Sequence, residues 1–321
     1  MRRDYPSLMQ DLGLTSSTCI SRSQLIRILD RFDYRAFNRL NMHYFSKQIN
    51  KNGLEWYAID GKELRGSIDT QAGEKPGENV VFSVNHSHYQ SEILGYYLGK
   101  KESEKTTVKR YFQDKIDLSG KAFSFDALHN SSILLEEIAS KGGVYLAQIK
   151  KNQSILWDDL EAIRTCNHHF YQNQTIEKGH GRIETRKAYC YYISPDDVDD
   201  RWNKADITSF IYLERERVQV KTGKISNEAV YFISNLPAIP KNGSVLFKAV
   251  RRHWRVEINN NIRDSNFGED KIISRKNALQ RSIAAFLNVA INRLQTINHQ
   301  NNLNELREEI CEDRRLIHQL F

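Results

Sequence analysis

The chain has few cysteines, no long apolar run and none of the common loops of hydrolases or nucleotide-binding proteins. Its four cysteines lie far apart with no Cys-x-x-Cys pair, so neither a zinc site nor a disulfide framework is predicted. No apolar run approaches the roughly 20 residues of a membrane span, and the amino terminus does not resemble a signal peptide. Without a nucleophile elbow or a phosphate loop, a serine hydrolase and a P-loop nucleotide triphosphatase are excluded. We expect a cytoplasmic protein with no membrane partner.

The chain is mildly basic. Lysine and arginine number 47 against 40 aspartates and glutamates, which gives a formal net charge of +7 and a pI near 9.1. This balance favours a polyanionic partner without proving one. At 321 residues, the chain is long enough for about two domains by the usual range of domain sizes.

The hydrophobic pattern predicts an α/β protein. Between residues 53 and 156 the elements follow the order strand, strand, strand, helix, strand, helix, strand. This is the order of the ribonuclease H-like fold, in which the first and fourth strands lie side by side. The predicted segments are a helical 1–52 that is a candidate for DNA binding, the first part of a ribonuclease H-like core at 53–156, a β-rich insertion at 157–243, a helical second part of the core at 244–298, and a C-terminal helical tail at 299–321.

Local signals predict where several elements begin and end. Ser21 or Ser23 is expected to cap the first helix, Asn130 a helix after the fourth strand, and Ser244 a helix that runs on through Ile258. The last long helix is expected to start near Ser274 and to bury an apolar stripe in the core.

Three acidic residues stand out. Two short apolar runs end in an aspartate, Trp56 to Asp60 and Lys121 to Asp126, and Glu257 follows inside a helix. Carboxylates at the ends of rigid elements can hold a pair of Mg²⁺ ions, which activate a nucleophile and neutralise a phosphodiester during cleavage. Each residue also has a simpler interpretation: Asp60-Gly61 as a hairpin turn, Asp126 as a helix cap and Glu257 as a surface acid.

Basic and polar residues near these acids are candidates for binding DNA. The alternatives are a solvated loop for any single lysine, a plain β-turn around His180, and a core position for Trp254. The candidates are Lys62, Arg65, Lys150, Lys151, Asn152, Gln153, His180, Arg182, Arg186, Arg251, Arg252, His253 and Trp254.

Six segments together resemble the H-repeat-associated branch of bacterial insertion-sequence transposases, which are DDE enzymes. They occur in the family's order between about residues 20 and 295. The segments are Ala58-Ile59-Asp60-Gly61-Lys62-Glu63-Leu64-Arg65-Gly66, Phe125-Asp126-Ala127-Leu128-His129, Lys150-Lys151-Asn152-Gln153, His180-Gly181-Arg182-Ile183-Glu184-Thr185-Arg186, Arg251-Arg252-His253-Trp254-Arg255-Val256-Glu257 and Arg263-Asp264-Ser265-Asn266-Phe267-Gly268-Glu269-Asp270.

The resemblance implies a ribonuclease H-like core that depends on Mg²⁺ or Mn²⁺. It also implies that Asp60, Asp126 and Glu257 are the three catalytic acids and metal ligands, with Glu269 or Asp270 in reserve for the third. The expected partners are double-stranded DNA, as the terminal inverted repeats of an element and as target DNA, and a second copy of the chain in a homodimer on DNA. We expect the protein to be associated with a bacterial nucleoid. Two alternatives stay open, a DNA-binding remnant without catalysis and a metal-dependent nuclease that cleaves without strand transfer.

Overall fold

Among the residues that the structure describes, two complete helices precede the sheet. The structure, a computed structural model, describes residues 9–10, 13, 15, 20–46, 53–68, 77–99, 101–274, 276–297, 303–313 and 316. Helix α1 (Arg22–Arg31) begins at Ser21, whose hydroxyl accepts a hydrogen bond from the Gln24 amide in a complete capping box, as predicted. Helix α2 (Tyr34–Ser46) follows. The predicted helical character is therefore confirmed for 22–31 and 34–46, and the rest of 1–52 lies mostly outside the described residues.

The middle of the chain alternates strands and helices much as predicted. The prediction missed one strand, β6, and it was wrong for residues 157–166, which are helical rather than β-rich. The elements are β1 (Glu55–Leu64), β2 (Glu78–Asn85), β3 (Ser91–Leu98), α3 (Lys101–Gln113), β4 (Lys121–Phe125), α4 (Ser132–Ser140), β5 (Val144–Ile149), α5 (Ser154–Cys166), β6 (Tyr171–Gly179), β7 (Arg182–Tyr192), β8 (Ser209–Gln219) and β9 (Ile225–Ser234).

The nine strands found in the described part of the chain form one mixed sheet. Its order is β3-β2-β1-β4-β5-β9-β8-β7-β6, and only the β1–β4 and β4–β5 pairs are parallel. The first and fourth strands are neighbours, as the element order predicted. Strands β6 to β9 extend the same sheet beyond β5, so the predicted insertion continues the central sheet rather than standing apart from it.

Both faces of the sheet are covered by apolar packing. Side chains of α3, α4 and α5, such as Val108, Leu135 and Leu156, form one buried cluster with strand residues including Ile59. On the opposite face, helices from the last third of the chain pack against Trp56, Ala58 and Val80. Because side chains alternate along a strand, Asp60 shares its face of β1 with Trp56 and Ala58.

The helices that cover this second face depart from the prediction. Helix α6 (Pro240–Arg252) starts at Pro240, not at Ser244, because proline has no amide to satisfy and its fixed φ suits the first helical turn. The helix ends at Arg252, and a turn at His253 and Trp254 separates it from α7 (Arg255–Asn261). The last two helices are α8 (Asn277–Ile297), which starts three residues later than expected, and α9 (Leu303–Glu312).

Helix α8 is only partly an apolar core helix. Leu279, Ile291 and Leu294 are buried as predicted, whereas Phe286 is exposed. The buried face also carries Asn288 and Asn292 amides, which bond to Ser91 of β3, so this contact is polar. Along the described chain, no helix combines the length and the apolar composition that a membrane crossing requires.

One expected turn, at Asp60-Gly61, and one expected helix cap, at Asn130, are absent. Strand β1 continues through Asp60 and Gly61 to Leu64, paired with β2, so the hairpin-turn interpretation of Asp60-Gly61 is wrong. Helix α4 is capped by Ser131 and not by Asn130, whose amide instead donates to the Gln148 carbonyl. At the tip of the β6–β7 hairpin, His180 and Gly181 both have positive φ, which is the backbone of a tight turn of the I′ kind.

Candidate active site and arginine-lined cleft

Asp60 and Asp126 lie side by side at the centre of the sheet. In the parallel register of β1 and β4, Ile59 is opposite Phe125, so the next residue of each strand is an aspartate. Neighbouring strands are about 4.8 Å apart, which brings the two carboxylates close together. Strand β4 ends at Phe125, where Asp126 Oδ1 accepts a hydrogen bond from the Leu128 amide at 2.9 Å. Asp126 therefore stabilises a local turn and does not cap a helix.

The charge of Asp60 is poorly compensated. Burial first, and then the nearby Glu104 and Asp126 carboxylates, raise the pKa of this carboxyl to about 7, against a smaller opposing effect of His129. Like charges at short range disfavour ionisation of either group. The arrangement holds more negative charge than its surroundings neutralise.

Glu257 is placed by a hydrogen-bonded break between two helices. His253 lies at the end of α6, and its Nδ1 is 2.9 Å from Ser124 Oγ on β4, which fixes the break against the strand that carries Asp126. The same Ser124 Oγ atom is also 3.1 Å from His86 Nε2. Val256 is buried against Ala58, so the next residue, Glu257, is exposed at the edge of the same site.

His86 and His253, the two histidines in contact with Ser124, are both kept neutral. Burial first, and then the neighbouring His253, Arg255 and Arg252, lower the pKa of His86 to about 3. Burial also lowers the pKa of His253 to about 4, which Asp126 opposes. Near neutral pH the His86–Ser124–His253 chain therefore supplies hydrogen bonds and no positive charge.

A cleft of about 450 Å³ opens beside Asp126 and extends over β7, β8 and β9. It brings together half of the residues that the sequence singled out. Those that line it are Asp126, Lys150, Arg182, Arg186, Arg251, His253, Trp254 and Glu257. Trp254 is 50% exposed, so the core interpretation of this residue is wrong.

Four arginines of the cleft share one buried acid, Glu184. The carboxylate is 2.8 Å from the Arg186 guanidinium, 3.4 Å from that of Arg217, and within 3.8 Å of those of Arg182 and Arg215. Burial lowers the pKa of Arg215, and the neighbouring arginines add to this effect against Glu228 and Glu184. Positive charge therefore exceeds negative charge on this part of the sheet.

The remaining predicted residues lie outside the cleft lining. Lys62 is buried, with its Nζ 2.8 Å from Asp264, 3.0 Å from Asp270 and 3.3 Å from Glu269. Burial lowers the Lys62 pKa, but these carboxylates outweigh it and raise the pKa overall. Arg65, Lys151, Asn152 and Arg252 are exposed, Gln153 is half-buried, and His180 is at the exposed hairpin tip.

The reserve acids have other partners. Glu269 is buried and forms a bidentate pair with Arg263, in which the Nη2 to Oε1 distance is 2.6 Å. Asp270 accepts from Lys62 and from the Arg65 amide. Both carboxylates therefore hold the loop after α7 against β1, and Glu257 stays the candidate for the third acid.

Sequence reasoning missed Arg215, Arg217, Glu184 and Glu104. For the two arginines a signal was available, because Glu214-Arg215-Glu216-Arg217 alternates charge with the period of a strand and so places both arginines on one face. Glu184 lies within the segment from His180 to Arg186, but its neighbours in the sequence indicate no role for it. For Glu104 no sequence signal exists, because its partners come from three other segments.

The aspartate pair fits a divalent cation by its chemistry. Carboxylate oxygens are the ligands that Mg²⁺ prefers, and a cation there would offset the repulsion that raises the Asp60 pKa. The third acid is not gathered with them: within the described residues, no group of three or more histidine, cysteine or acidic side chains has metal-binding spacing.

Comparisons with known proteins point to one kind of relative. No family model matches the chain. "Putative protein YbfL" from Escherichia coli K12 is 23% identical over 84% of this chain and 72% of its own length. "Putative transposase YncI" from Escherichia coli O157:H7 is 24% identical over 84% and 70%, and "H repeat-associated putative transposase YhhI" from strain K12 is 25% identical over 84% and 72%. These names confirm the resemblance to H-repeat-associated transposases.

Likeness to solved structures is weak. The sugar N-methyltransferase KedS8 from Streptoalloteichus is 11% identical, with a TM-score of 0.17 over 44% of this chain and 50% of that chain. At this TM-score the match carries no argument about fold or activity.

Proposed function

We propose that this chain is a DDE transposase with a ribonuclease H-like core, which cleaves DNA at the ends of a mobile element and joins the freed ends to target DNA. The observation that carries the proposal is the placement of Asp60 and Asp126 on adjacent parallel strands, beside a cleft lined by arginines and Glu257. The strand order β3-β2-β1-β4-β5 is consistent with such a core, and the transposase names of the relatives agree with it.

The residues of the cleft have separate roles in this proposal. The guanidinium groups of Arg182, Arg186, Arg215 and Arg217 neutralise phosphates and hold the DNA backbone. The exposed Trp254 ring stacks on a base that is unpaired near the cut. His253, held neutral, donates or accepts a hydrogen bond at the phosphate without adding charge.

Asp60 and Asp126 would hold the divalent cation, Mg²⁺ or Mn²⁺, and Glu257 would complete its ligands. When bound, the ion supplies an activated nucleophile and neutralises charge on the phosphodiester. The partners in this proposal are duplex DNA with terminal inverted repeats, target DNA and a second copy of the chain.

Cleavage of a duplex that carries the inverted repeat flanking the gene tests the proposal. With Mg²⁺ we expect nicked and strand-transfer products from the wild type, and Asp126→Asn should cut at least about a hundredfold more slowly, because it loses a ligand of the ion that neutralises charge on the phosphodiester. The matched control is Asp158→Asn, an exposed aspartate of α5, which should cut normally.

Three other outcomes would contradict the proposal in different ways. Equal cleavage by wild type and Asp126→Asn would remove the assignment of the active site. Cleavage without strand-transfer products would favour a nuclease. Salt-sensitive DNA binding that persists in chelator, without any cleavage, would favour a DNA-binding protein with no catalysis.

A further inference from the structure

A buried glutamate lies behind the aspartate pair, on the far side of β1. Glu104 is on α3 and is 6% exposed. Tyr97 donates a hydrogen bond from its hydroxyl to Glu104 Oε2 at 2.6 Å, and His129 Nε2 lies 2.9 Å from Oε1. Burial alone would raise the Glu104 pKa, but these two hydrogen bonds outweigh burial and lower it. The side chain is therefore held in one position as a carboxylate.

The absence of a side chain at Gly61 makes this position possible. A Cβ at residue 61 would overlap the Glu104 carboxyl group, whose carbon and both oxygens are the atoms nearest to it. Since β1 has no turn at Asp60-Gly61, the glycine is required for close approach and not for a special backbone angle. Glu104 thus reaches β1 next to Asp60, through the gap that Gly61 leaves.

Gly61 and His129, which belong to the segments that contain Asp60 and Asp126, both position Glu104. Gly61 follows Asp60 and leaves room for the Glu104 carboxylate. His129 lies three residues after Asp126 and orients the Glu104 carboxylate. The partners come from β3, α3, β1 and the turn after β4, all of which meet behind Asp60 and Asp126.

We propose that Glu104 is a positioning residue that supplies a fixed negative charge behind Asp60 and Asp126 and so raises the affinity of that pair for a divalent cation. The inference rests on the proposed metal-dependent function. A carboxylate that is buried beside a pair of acids deepens the negative potential at the pair, and the low local dielectric preserves this effect. Partners behind metal ligands typically change metal affinity by about 10- to 100-fold.

Metal binding by the full-length protein tests this inference without relying on activity. Mn²⁺ alone is titrated into the protein while the signal of free Mn²⁺ is followed by electron paramagnetic resonance. We expect Glu104→Gln, which keeps the shape of the side chain and loses its charge, to weaken Mn²⁺ binding about tenfold. The matched control is Val108→Ala, which weakens the packing of the same helix and keeps the carboxylate, and it should leave the Mn²⁺ dissociation constant unchanged.

A double-mutant cycle separates charge from packing. Gly61→Ala forces the Glu104 carboxylate away and should also weaken Mn²⁺ binding, whereas adding Gly61→Ala to Glu104→Ala should have little further effect. Additive losses in the cycle, or normal binding by Glu104→Gln in a protein that binds Mn²⁺, would overturn the role of Glu104 alone. A wild type that binds no Mn²⁺, with Asp60→Asn indistinguishable from it, would overturn the metal site and this inference together.

Discussion

Two buried glutamates, Glu104 and Glu184, have opposite surroundings. Glu104 accepts hydrogen bonds from Tyr97 and His129 and lies beside two further acids, so it adds to a local excess of negative charge. Glu184 is equally buried, at 5% exposure, but four arginines surround it. The same side chain therefore concentrates charge in one region and offsets it in the other.

One sheet therefore carries two regions of opposite charge. Near β1 and β4, hydrogen bonds from Tyr97, His129 and a backbone amide fix carboxylates that lie close together, and a cation would offset their repulsion. On β7 and β8, one buried acid, assisted by the more exposed Glu177 and Glu228, lets several arginines pack closely while their net charge stays positive, so an anion would bind there favourably. A phosphodiester with its metal ion carries both charges and would complement both regions in the cleft between them.

Removing the acid of the arginine region should give the largest change in stability. Glu184→Gln leaves four guanidinium groups without their shared counter-charge, and we expect a loss of about 3 kcal/mol in the free energy of unfolding. Chemical denaturation measures this loss. The matched control is Glu216→Gln, an exposed acid two residues beyond Glu214 on β8, which should change little.

Inorganic phosphate sharpens the same experiment. If Glu184 acts by its negative charge, phosphate should raise the free energy of unfolding of Glu184→Gln more than that of the wild type, because the bound anion replaces the missing charge. An equal effect of phosphate on both proteins would mean that Glu184 stabilises the sheet by packing, and the contrast with Glu104 would be lost.

Neutralising an acid in the other region should have the opposite sign. Asp60→Asn removes a charge that its surroundings compensate only in part, so we expect the metal-free protein to gain about 2 kcal/mol at pH 8. The folded pKa of Asp60 is raised, so ionisation costs folding stability; this cost is complete above about pH 7 and absent below the ordinary value of 3.8. The gain should therefore disappear as the pH falls towards 4.

Thermal unfolding across this pH range, with chelator present, measures the effect of Asp60→Asn. Mg²⁺ should stabilise the wild type more than the variant, since the variant has lost a ligand. A variant that is less stable than the wild type at pH 8 would show that Asp60 is compensated after all.

Local sequence signals predicted the centre of the site better than its surroundings. The order of elements alone put Asp60 beside Asp126, because the β1–β4 pairing follows from strand succession. The Ser21 cap was predictable because all of its partners lie within three residues. Glu104 was not, since its carboxylate is defined by contacts with β3, β1 and the turn after β4 that no local pattern encodes.

The long helix that was predicted to carry Glu257 shows a second limit of local signals. Ser244 looked like a cap, and the pattern from Phe247 to Ile258 had helical spacing. Pro240 nevertheless starts the helix one turn earlier, and the contact between His253 and Ser124, which are 129 residues apart in the chain, coincides with its break. Tertiary hydrogen bonds of this kind cannot be read from periodicity.

The smallest expected effect concerns the histidines that stay neutral near the acids. The folded pKa of His86 is lowered to about 3, so its stabilising contribution is present above the ordinary value of 6.5 and is lost as the pH falls towards 3. We expect a loss on the order of 1 kcal/mol between pH 7 and pH 5, measured by denaturation in the Asp60→Asn background, where the opposing titration of Asp60 is absent. His86→Gln in that background should flatten this acid limb. An unchanged limb would mean that His86 is readily protonated in the folded protein, and a positive charge would then lie next to Ser124.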